Sequence, residues 1–322
     1  MRTVFVGNCQ LVTLWQMYRE VVGESEKELL HYVPNYEIAT EFGRTAITDA
    51  ERFVWQVTEL EQELSPPADG RRCHFVPVVN CPFLFPLSGE AHPSNQPLEF
   101  WSDGPYPAET GDSLLNAMIR KGLSPDEAVR KYIETDVASV RSVQRIMEIS
   151  LDRQHERDER CGGYESAKII IENLREEPLF RTRGHLERRL NRHLADTLFS
   201  SMDLGSSALR SLSAIDTQRF VPPTEMPIHP SIAKAFGLAY VTADTTYAFN
   251  FEGNFTLREW ALRYMQFTWS SDLMEGLWHF HAGRMEQSIP FLQRATIECP
   301  RSVLAKESLR FAEARALEAE KT

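Results

Sequence analysis

The fold is decided at the N-terminus by residues 3–11, TVFVGNCQL. Residues 3–6 are β-branched or aromatic, which is typical of a buried strand, and Gly7 ends that strand. The next segment has apolar residues at helical spacings of three and four, namely Leu11, Leu14, Trp15 and Tyr18. The pattern predicts a strand, a tight turn and a helix. Such a unit places its turn at the carboxyl end of a strand, where open α/β sheets bind ligands.

The predicted turn carries polar and nucleophilic side chains after Gly7. Cys9 stands where the helix begins, and the unpaired backbone N–H groups there stabilise negative charge, so its thiol is a candidate nucleophile. Asn8 and Gln10 add neutral amide donors of the kind that stabilise an oxyanion in acyl transfer. The alternative is that Cys9 is a small buried residue in a tight turn and that the amides only cap the helix.

Three segments centred on histidine offer a base or a binding group for this turn. His229 is the best candidate for a catalytic base, since Pro227 and Pro230 restrict the backbone on either side of it. His92 and His185 are candidates for contacts with a substrate. For each histidine, the alternative is a structural or surface role.

The segment around His185 is rich in arginine, with Arg181, Arg183, Arg188, Arg189 and Arg192. These guanidinium groups form either a solvated helix face or a receptor for the phosphates of an anionic cofactor. In the second interpretation, Arg183 and Arg188 are the cofactor-binding candidates.

The middle of the chain combines one more strand with a long loop and a helical region. Residues 74–79 are predicted to form a strand, and the prolines of residues 80–107 predict an irregular loop. Residues 124–127, SPDE, predict a helix start with Ser124 as the N-cap, proline at the first helical position and Glu127 as the glutamate of a capping box. Helix is predicted from there to about residue 212, with the charged residues 151–160 facing solvent.

Two further elements are predicted after a proline-rich break. Residues 238–242 are expected to form a short strand. Thr256 and Glu259 have the spacing of a capping box, which predicts the start of another helix.

Residues 269–302, within a C-terminal tail of residues 268–322, resemble one tetratricopeptide repeat. The matching positions are Gly276, Gly283, Ile289, Leu292, Ala295 and Pro300. Because one repeat cannot bury its own apolar face, we expect a helical hairpin packed on a main domain of residues 1–267. The hairpin is either an ordinary structural element or a surface that captures a protein partner.

Composition narrows the classes of partner. The 46 acidic and 35 basic residues give a formal net charge of -11, which disfavours nucleic acid as a partner. No stretch is apolar enough to predict a membrane span or an export signal. The five cysteines include no CxxC pair, which argues against a disulfide framework and a zinc site. We therefore expect a cytoplasmic protein without a metal.

The order of four segments resembles the WcbI family of polysaccharide-biosynthesis proteins from bacterial capsule loci. These segments are GNCQ at residues 7–10, PFLFP at residues 82–86 followed by His92-Pro93, Gly184-His185, and IHPS at residues 228–231. The resemblance implies a mixed α/β enzyme that binds coenzyme A or acetyl-CoA and O-acetylates a capsular sugar. It also implies a distant likeness to SGNH-type hydrolases, with a Rossmann-like core, and leaves Glu225 or Asp244 as the third member of a triad.

The first hypothesis is therefore an acetyl-CoA-dependent O-acyltransferase that acts on a saccharide. In a direct route His229 deprotonates the sugar hydroxyl, whereas in a ping-pong route Cys9 is acylated first. The second hypothesis is an SGNH-like esterase that uses Cys9. The third is a non-catalytic scaffold that works through its repeat-like tail.

Overall fold

The computed structural model of the protein describes residues 1–22, 29–59, 71–99, 101–202, 204, 210–212, 214–249 and 252–319. The backbone divides into two compact units. The first unit comprises Met1–Phe83, Ser142–Pro222 and Leu238–Tyr240, and the second comprises Leu84–Arg141, Pro223–Gly237 and Val241–Thr322. The predicted boundary after residue 267 falls within the second unit, and the last three residues of the predicted tail lie outside the described residues.

The α-helices are, in chain order, α1 Cys9–Val22, α2 Glu41–Thr48, α3 Ser113–Arg120, α4 Pro125–Glu134, α5 Val137–Val140, α6 Val143–Arg160, α7 Ser166–Asn173, α8 Arg188–Ser201, α9 Pro230–Phe236, α10 Leu257–Met265, α11 Ser271–His281, α12 Met285–Glu298 and α13 Val303–Ala319. Short 3₁₀ helices cover Asn35–Glu37 and Thr217–Phe220. Within the described residues no helix is both long and apolar enough to cross a membrane.

The first unit contains a parallel four-stranded sheet. Its strands are β1 Arg2–Gly7, β2 Leu29–Pro34, β3 Arg52–Val57 and β4 Arg72–Pro77, in the order β2-β1-β3-β4. The register pairs Gly7 with Pro34 and Val57 with Pro77, so the carboxyl ends of all four strands lie at one edge. The turn after β1 is therefore flanked by the turns after β2 and β3.

Strand β1 is buried because both of its faces are covered. On one face Val4 and Val6 join a cluster with Val33 and Phe53. On the other face Phe5 packs on Tyr18 of α1, with 5.4 Å between the ring centroids. This arrangement confirms the strand, turn and helix that residues 3–11 predict.

The second unit is mostly helical and holds a small antiparallel hairpin, β5 Thr246–Phe249 and β6 Gly253–Thr256. Thr256 and Glu259 form the predicted capping box at the start of α10. Helices α11 and α12 pack closely, since a Cβ added at Gly276 would lie 2.8 Å from side-chain atoms of Leu292.

Three expectations from sequence are corrected. Residues 238–242 form turns and coil in place of a strand. The charged segment 151–160 does not simply face solvent, because Asp158 is 1% exposed and accepts hydrogen bonds from Gln154 and from the backbone of Ala167. At the start of α4, Ser124 makes no side-chain cap, and Glu127 pairs with Lys131 at 2.8 Å.

Candidate functional site

The turn after β1 is built around Asn8, which caps α1. The Asn8 side-chain oxygen accepts a hydrogen bond of 2.9 Å from the Gln10 backbone N–H, and the Asn8 carbonyl accepts one of 3.0 Å from Leu11. Cys9 is the first residue of α1 and is exposed. Of the five cysteines, all of which lie in described segments, Cys9 is the one that the structure leaves exposed.

Gly7 allows the strand to approach its neighbour closely at this point. A Cβ on Gly7 would lie 2.7 Å from Gln56 Oε1 and 2.8 Å from a methyl carbon of Leu11. In that space the Gln56 oxygen accepts a hydrogen bond of 2.8 Å from the Asn8 backbone N–H. Gly7 therefore shapes the site by lacking a side chain, and the prediction that it also contacts a substrate stays a prediction.

Tyr32 supports the same turn from strand β2. Its hydroxyl lies 2.9 Å from the Gly7 carbonyl and 3.0 Å from the Asn8 carbonyl. Burial raises the pKa of the Tyr32 phenol, and negative charge at Cys9 adds to that effect. The phenol therefore stays protonated and acts as a hydrogen-bond donor to the turn.

The structure corrects the role predicted for Gln10. This side chain is buried, and its amide nitrogen donates at 2.6 Å to the carbonyls of both Val79 and Gly184. Its oxygen accepts from the Val79 backbone N–H at 3.0 Å. Because both N–H bonds are used, Gln10 has no donor left for an oxyanion, and it instead fastens two distant turns to the start of α1.

Three donors at the turn after β1 and on the neighbouring strand β3 lack a partner among the residues that the structure describes. They are the side-chain amide of Asn8, the backbone N–H of Cys9 and the side-chain amide nitrogen of Gln56. Gln56 is 2% exposed, so its unpaired nitrogen is costly unless another group accepts from it. This donor set matches an oxygen atom that carries or develops negative charge.

His185 lies in the same unit and next to Gly184, which the Gln10 side chain binds. The Thr182 hydroxyl accepts hydrogen bonds from the backbone of Gly184 and His185 and lies 3.1 Å from His185 Nδ1. The hydroxyl therefore fixes the orientation of the imidazole. Sequence alone predicts His185 as a binding residue but contains no signal for this support by Thr182.

The two arginines that were predicted to bind a cofactor differ in their surroundings. The Arg183 side chain is exposed and has no ion pair with any residue in the described ranges, while its backbone carbonyl accepts from Cys81 N–H at 3.0 Å. Arg188 pairs with Asp216 at 3.1 Å. Arg183 is therefore the cation that is available to an anionic ligand on this side of the site.

His229 lies in the second unit and caps α9. Its Nδ1 accepts from the Ser231 backbone N–H at 3.2 Å, and its Nε2 lies 2.9 Å from the Tyr132 carbonyl, to which it donates. The adjoining cavity, beside Asp112 and Ile232, has a volume of about 20 Å³, room for about one water. Burial lowers the pKa of His229, so the imidazole is held neutral. These bonds are those of a structural histidine, and its role as a base remains a prediction.

His92 also lies in the second unit, where aromatic rings surround it. Its ring centroid lies 4.8 Å from that of Tyr264 and 4.9 Å from that of Phe267, and the side chain is 3% exposed. Burial lowers the pKa of His92 to about 4. This enclosure corrects the expectation that His92 contacts a substrate.

Glu225 and Asp244, the two candidates for a third triad member, belong to the second unit, whereas Cys9 belongs to the first. Glu225 accepts from the Ala248 backbone N–H at 2.8 Å, and Asp244 is exposed. No group of three or more His, Cys, Asp or Glu residues that could hold a metal ion occurs in the part of the chain that the structure describes.

These features define an α/β protein whose candidate site lies at the turn after the first strand of a parallel sheet. The family model of the polysaccharide biosynthesis enzyme WcbI matches residues 2–207. The chain therefore belongs to the WcbI family of polysaccharide biosynthesis enzymes, as the resemblance of its segments predicts.

Comparison with solved structures finds the same fold. One of them is described as native WcbI, a novel polysaccharide biosynthesis enzyme, without a disulfide bond between coenzyme A and one of its cysteines. It is 16% identical to this chain with a TM-score of 0.57, and the match covers 97% of this chain and 98% of that one. No curated protein matches the chain.

Proposed function

We propose that the chain is an acetyl-CoA-dependent O-acyltransferase that modifies a saccharide hydroxyl during polysaccharide biosynthesis in the cytoplasm. The observation that carries this proposal is the set of unpaired donors at the Asn8–Cys9 turn. Acyl transfer places negative charge on the carbonyl oxygen of the acyl group, and preorganised donors aimed at that oxygen lower the barrier.

Coenzyme A fits the chemistry of these residues. It supplies the acyl group as an activated thioester. The Asn8 amide and the Cys9 N–H are suited to the carbonyl oxygen, and the exposed, unpaired Arg183 is suited to a phosphate. The solved WcbI is described as native protein without a disulfide bond between coenzyme A and one of its cysteines. We take Cys9 as the counterpart of that cysteine, because it is the exposed one in this chain.

Proton transfer in a direct route is assigned to His185 in this proposal. The imidazole takes the proton of the sugar hydroxyl while the hydroxyl oxygen forms a bond to the acyl carbon, and the proton then passes to the departing thiolate. Thr182 supports this role by orienting the ring. His229 remains the alternative base, although it would have to give up a hydrogen bond at one of its ring nitrogens.

In the ping-pong route the Cys9 thiolate bonds to the acyl carbon, coenzyme A leaves as its thiol, and the sugar hydroxyl then displaces Cys9. The SGNH-like esterase hypothesis also acylates Cys9, but from an acetyl ester without coenzyme A, and water then releases the acyl group. The two hypotheses differ in whether product formation requires coenzyme A and a saccharide.

The tail is proposed to bind a protein partner in addition. Exposure favours this role, because Ile297 of α12 is 78% exposed and Leu317 of α13 is 56% exposed. The likeness of α11 and α12 to a tetratricopeptide repeat is part of the same proposal.

The test measures release of the coenzyme A thiol from acetyl-CoA with and without a panel of methyl hexosides, together with mass spectrometry of the sugars. The matched variant is Asn8→Asp, which keeps the capping oxygen but removes the amide donor. We expect sugar-dependent thiol release in the wild type and a loss of about 10²–10³-fold in Asn8→Asp at unchanged stability. Thiol release that is independent of sugar would contradict the saccharide acceptor, and cleavage of an acetyl ester without coenzyme A would favour the esterase. Full activity in Asn8→Asp would refute the site.

A further inference from the structure

A rigid turn next to Cys9 presents an aromatic ring to solvent. Tyr36 lies in the 3₁₀ helix that follows β2, and it is 84% exposed. Its ring and hydroxyl have no partner among the described residues. The parallel register pairs Gly7 with Pro34, so the 3₁₀ helix begins beside the turn that carries Asn8 and Cys9. The Tyr32 hydroxyl fastens the two turns together through the Gly7 and Asn8 carbonyls.

The electrostatic surroundings of Tyr32 show the same proximity. The charges that raise the pKa of its phenol, after burial, are those of Cys9, Tyr36 and Glu37. All three groups therefore lie around one phenol at the carboxyl edge of the sheet.

The 3₁₀ helix is held in place by α2. The Glu37 carbonyl accepts hydrogen bonds from both the backbone N–H and the hydroxyl of Thr40, which caps α2. A Cβ on Gly43 would lie 2.2 Å from the same carbonyl, so α2 packs directly against this turn. Because the backbone is fixed, a ligand that stacks on Tyr36 orders little more than one side chain.

The turns on the two sides of β1 differ in chemistry. One flank is the turn after β2, and the opposite flank is formed by the turns beyond β3. The segment 35–41, NYEIATE, has two carboxylates and no basic residue, and the Glu37 carboxylate makes no hydrogen bond or ion pair with the described part of the chain. Arg183 belongs to the other flank, because the Gln10 side chain binds Val79, which follows β4, together with Gly184. In the strand order β2-β1-β3-β4 these flanks lie on either side of β1. The Arg44 guanidinium of α2 also donates to the Ala39 carbonyl of this segment, so the flank carries both signs of charge. Amide and carboxylate groups beside an aromatic ring suit a ligand that has hydroxyl groups and an apolar ring face.

We propose that Asn35, Tyr36 and Glu37 form the subsite for the acceptor saccharide. A sugar ring stacks on Tyr36, and its hydroxyl groups donate to Glu37 and exchange hydrogen bonds with Asn35. This inference rests on the proposed transferase function and assigns the two flanks of Cys9 to the two substrates, with the acyl donor on the Arg183 side.

The test uses saturation-transfer NMR on the full chain with a panel of methyl hexosides as probes, and calorimetry with coenzyme A as a separate measurement. For the hexosides that bind the wild type, Tyr36→Ala should weaken binding by about 2- to 10-fold, because one aromatic contact typically contributes that much to affinity. Tyr36→Phe should retain binding. Phe311→Ala, which removes a partly exposed ring from helix α13 of the second unit, is the matched control and should behave as the wild type.

Stability should not change in Tyr36→Ala, because the removed ring is exposed. Equal sugar binding by wild type and Tyr36→Ala, or no binding of any hexoside by the wild type, would overturn the subsite. Weaker binding of coenzyme A to Tyr36→Ala would also overturn it, by assigning the ring to the donor. If the wild type fails to bind coenzyme A at all while hexoside binding depends on Tyr36, the subsite stands and the proposed transferase function fails.

Discussion

The Gln10 side-chain nitrogen lies 2.6 Å from the carbonyl oxygen of Gly184, a residue 174 positions further along the chain. The same nitrogen also donates to Val79, which follows strand β4. One buried amide thus connects the start of α1, the end of the sheet and the turn that carries His185. The site is therefore assembled by long-range hydrogen bonds around a residue that does not itself face the substrate.

Replacement of Gln10 by alanine should lower the free energy of unfolding by about 2–4 kcal/mol, because the Val79 N–H and two carbonyls lose their buried partner. Urea unfolding measures this change. Gln293→Ala is the matched control, since Gln293 is exposed on α12 and should shift stability by less than about 0.5 kcal/mol. Equal stability of wild type and Gln10→Ala would contradict the structural role of this amide.

Alanine at Gly7 should destabilise the protein by about 1–3 kcal/mol, because the new methyl group would overlap Gln56 and Leu11. Gly184→Ala should be close to neutral, since no atom lies within 4 Å of the position of its Cβ. Thermal unfolding of the two variants tests the difference. A tolerated Gly7→Ala would show that β1 and β3 are not as close as described.

The sequence predicts those parts of the fold whose signals are local. The β1–α1 unit follows from residues 3–6 and the helical spacing after Gly7, and α10 follows from the Thr256–Glu259 capping box. Strands β2 and β3 are not predicted, because polar residues interrupt their apolar pattern. Arg52 and Gln56 occupy β3 and are nevertheless buried.

The sequence predicts the site only in part, for the same reason. It predicts Asn8 and Cys9 as site residues because they stand between a strand and a helix. The roles of Tyr32 and Gln56 depend on residues far away in the chain, which meet only when the sheet forms. Thr182 acts locally on His185, three residues further along, but the residue types alone do not show this bond. Likewise, the proline pattern around His229 marks a rigid loop, but it does not show that both imidazole nitrogens are used to hold that loop.

Asparagine at position 229 should separate a structural role from a catalytic one. Its side chain can still accept from the Ser231 N–H and cap α9, so we expect His229→Asn to fold and to keep its rate within about tenfold of the wild type. His229→Ala should lose about 1–2 kcal/mol of stability with the cap. A loss in rate of about 10²–10⁴-fold in folded His229→Asn would instead establish the histidine as the general base.

The free energy of unfolding should fall as the pH rises through neutrality, because the buried Glu252 carboxyl holds a proton in the folded state. Burial raises the pKa of this carboxyl from 4.5 to about 7, and the Tyr106 hydroxyl donates to it at 3.0 Å. The folded state therefore keeps a proton that the unfolded state has released, and this contribution is lost as the pH rises through the folded pKa. Between about pH 6 and about pH 8 the loss should be about 1 kcal/mol. Glu252→Gln should remove most of this slope in urea unfolding, and an equal slope in both proteins would contradict the assignment.

The most direct test of the account is protection of Cys9 by acetyl-CoA. The wild type is treated with iodoacetamide at increasing acetyl-CoA concentrations, and alkylation of each cysteine is followed by peptide mass spectrometry. Cys73, which is partly exposed, serves as the internal reference. The account predicts that saturating acetyl-CoA slows alkylation of Cys9 by about tenfold or more and leaves Cys73 unchanged. An unchanged rate at Cys9 would contradict the claim that the turn after β1 binds the acyl donor.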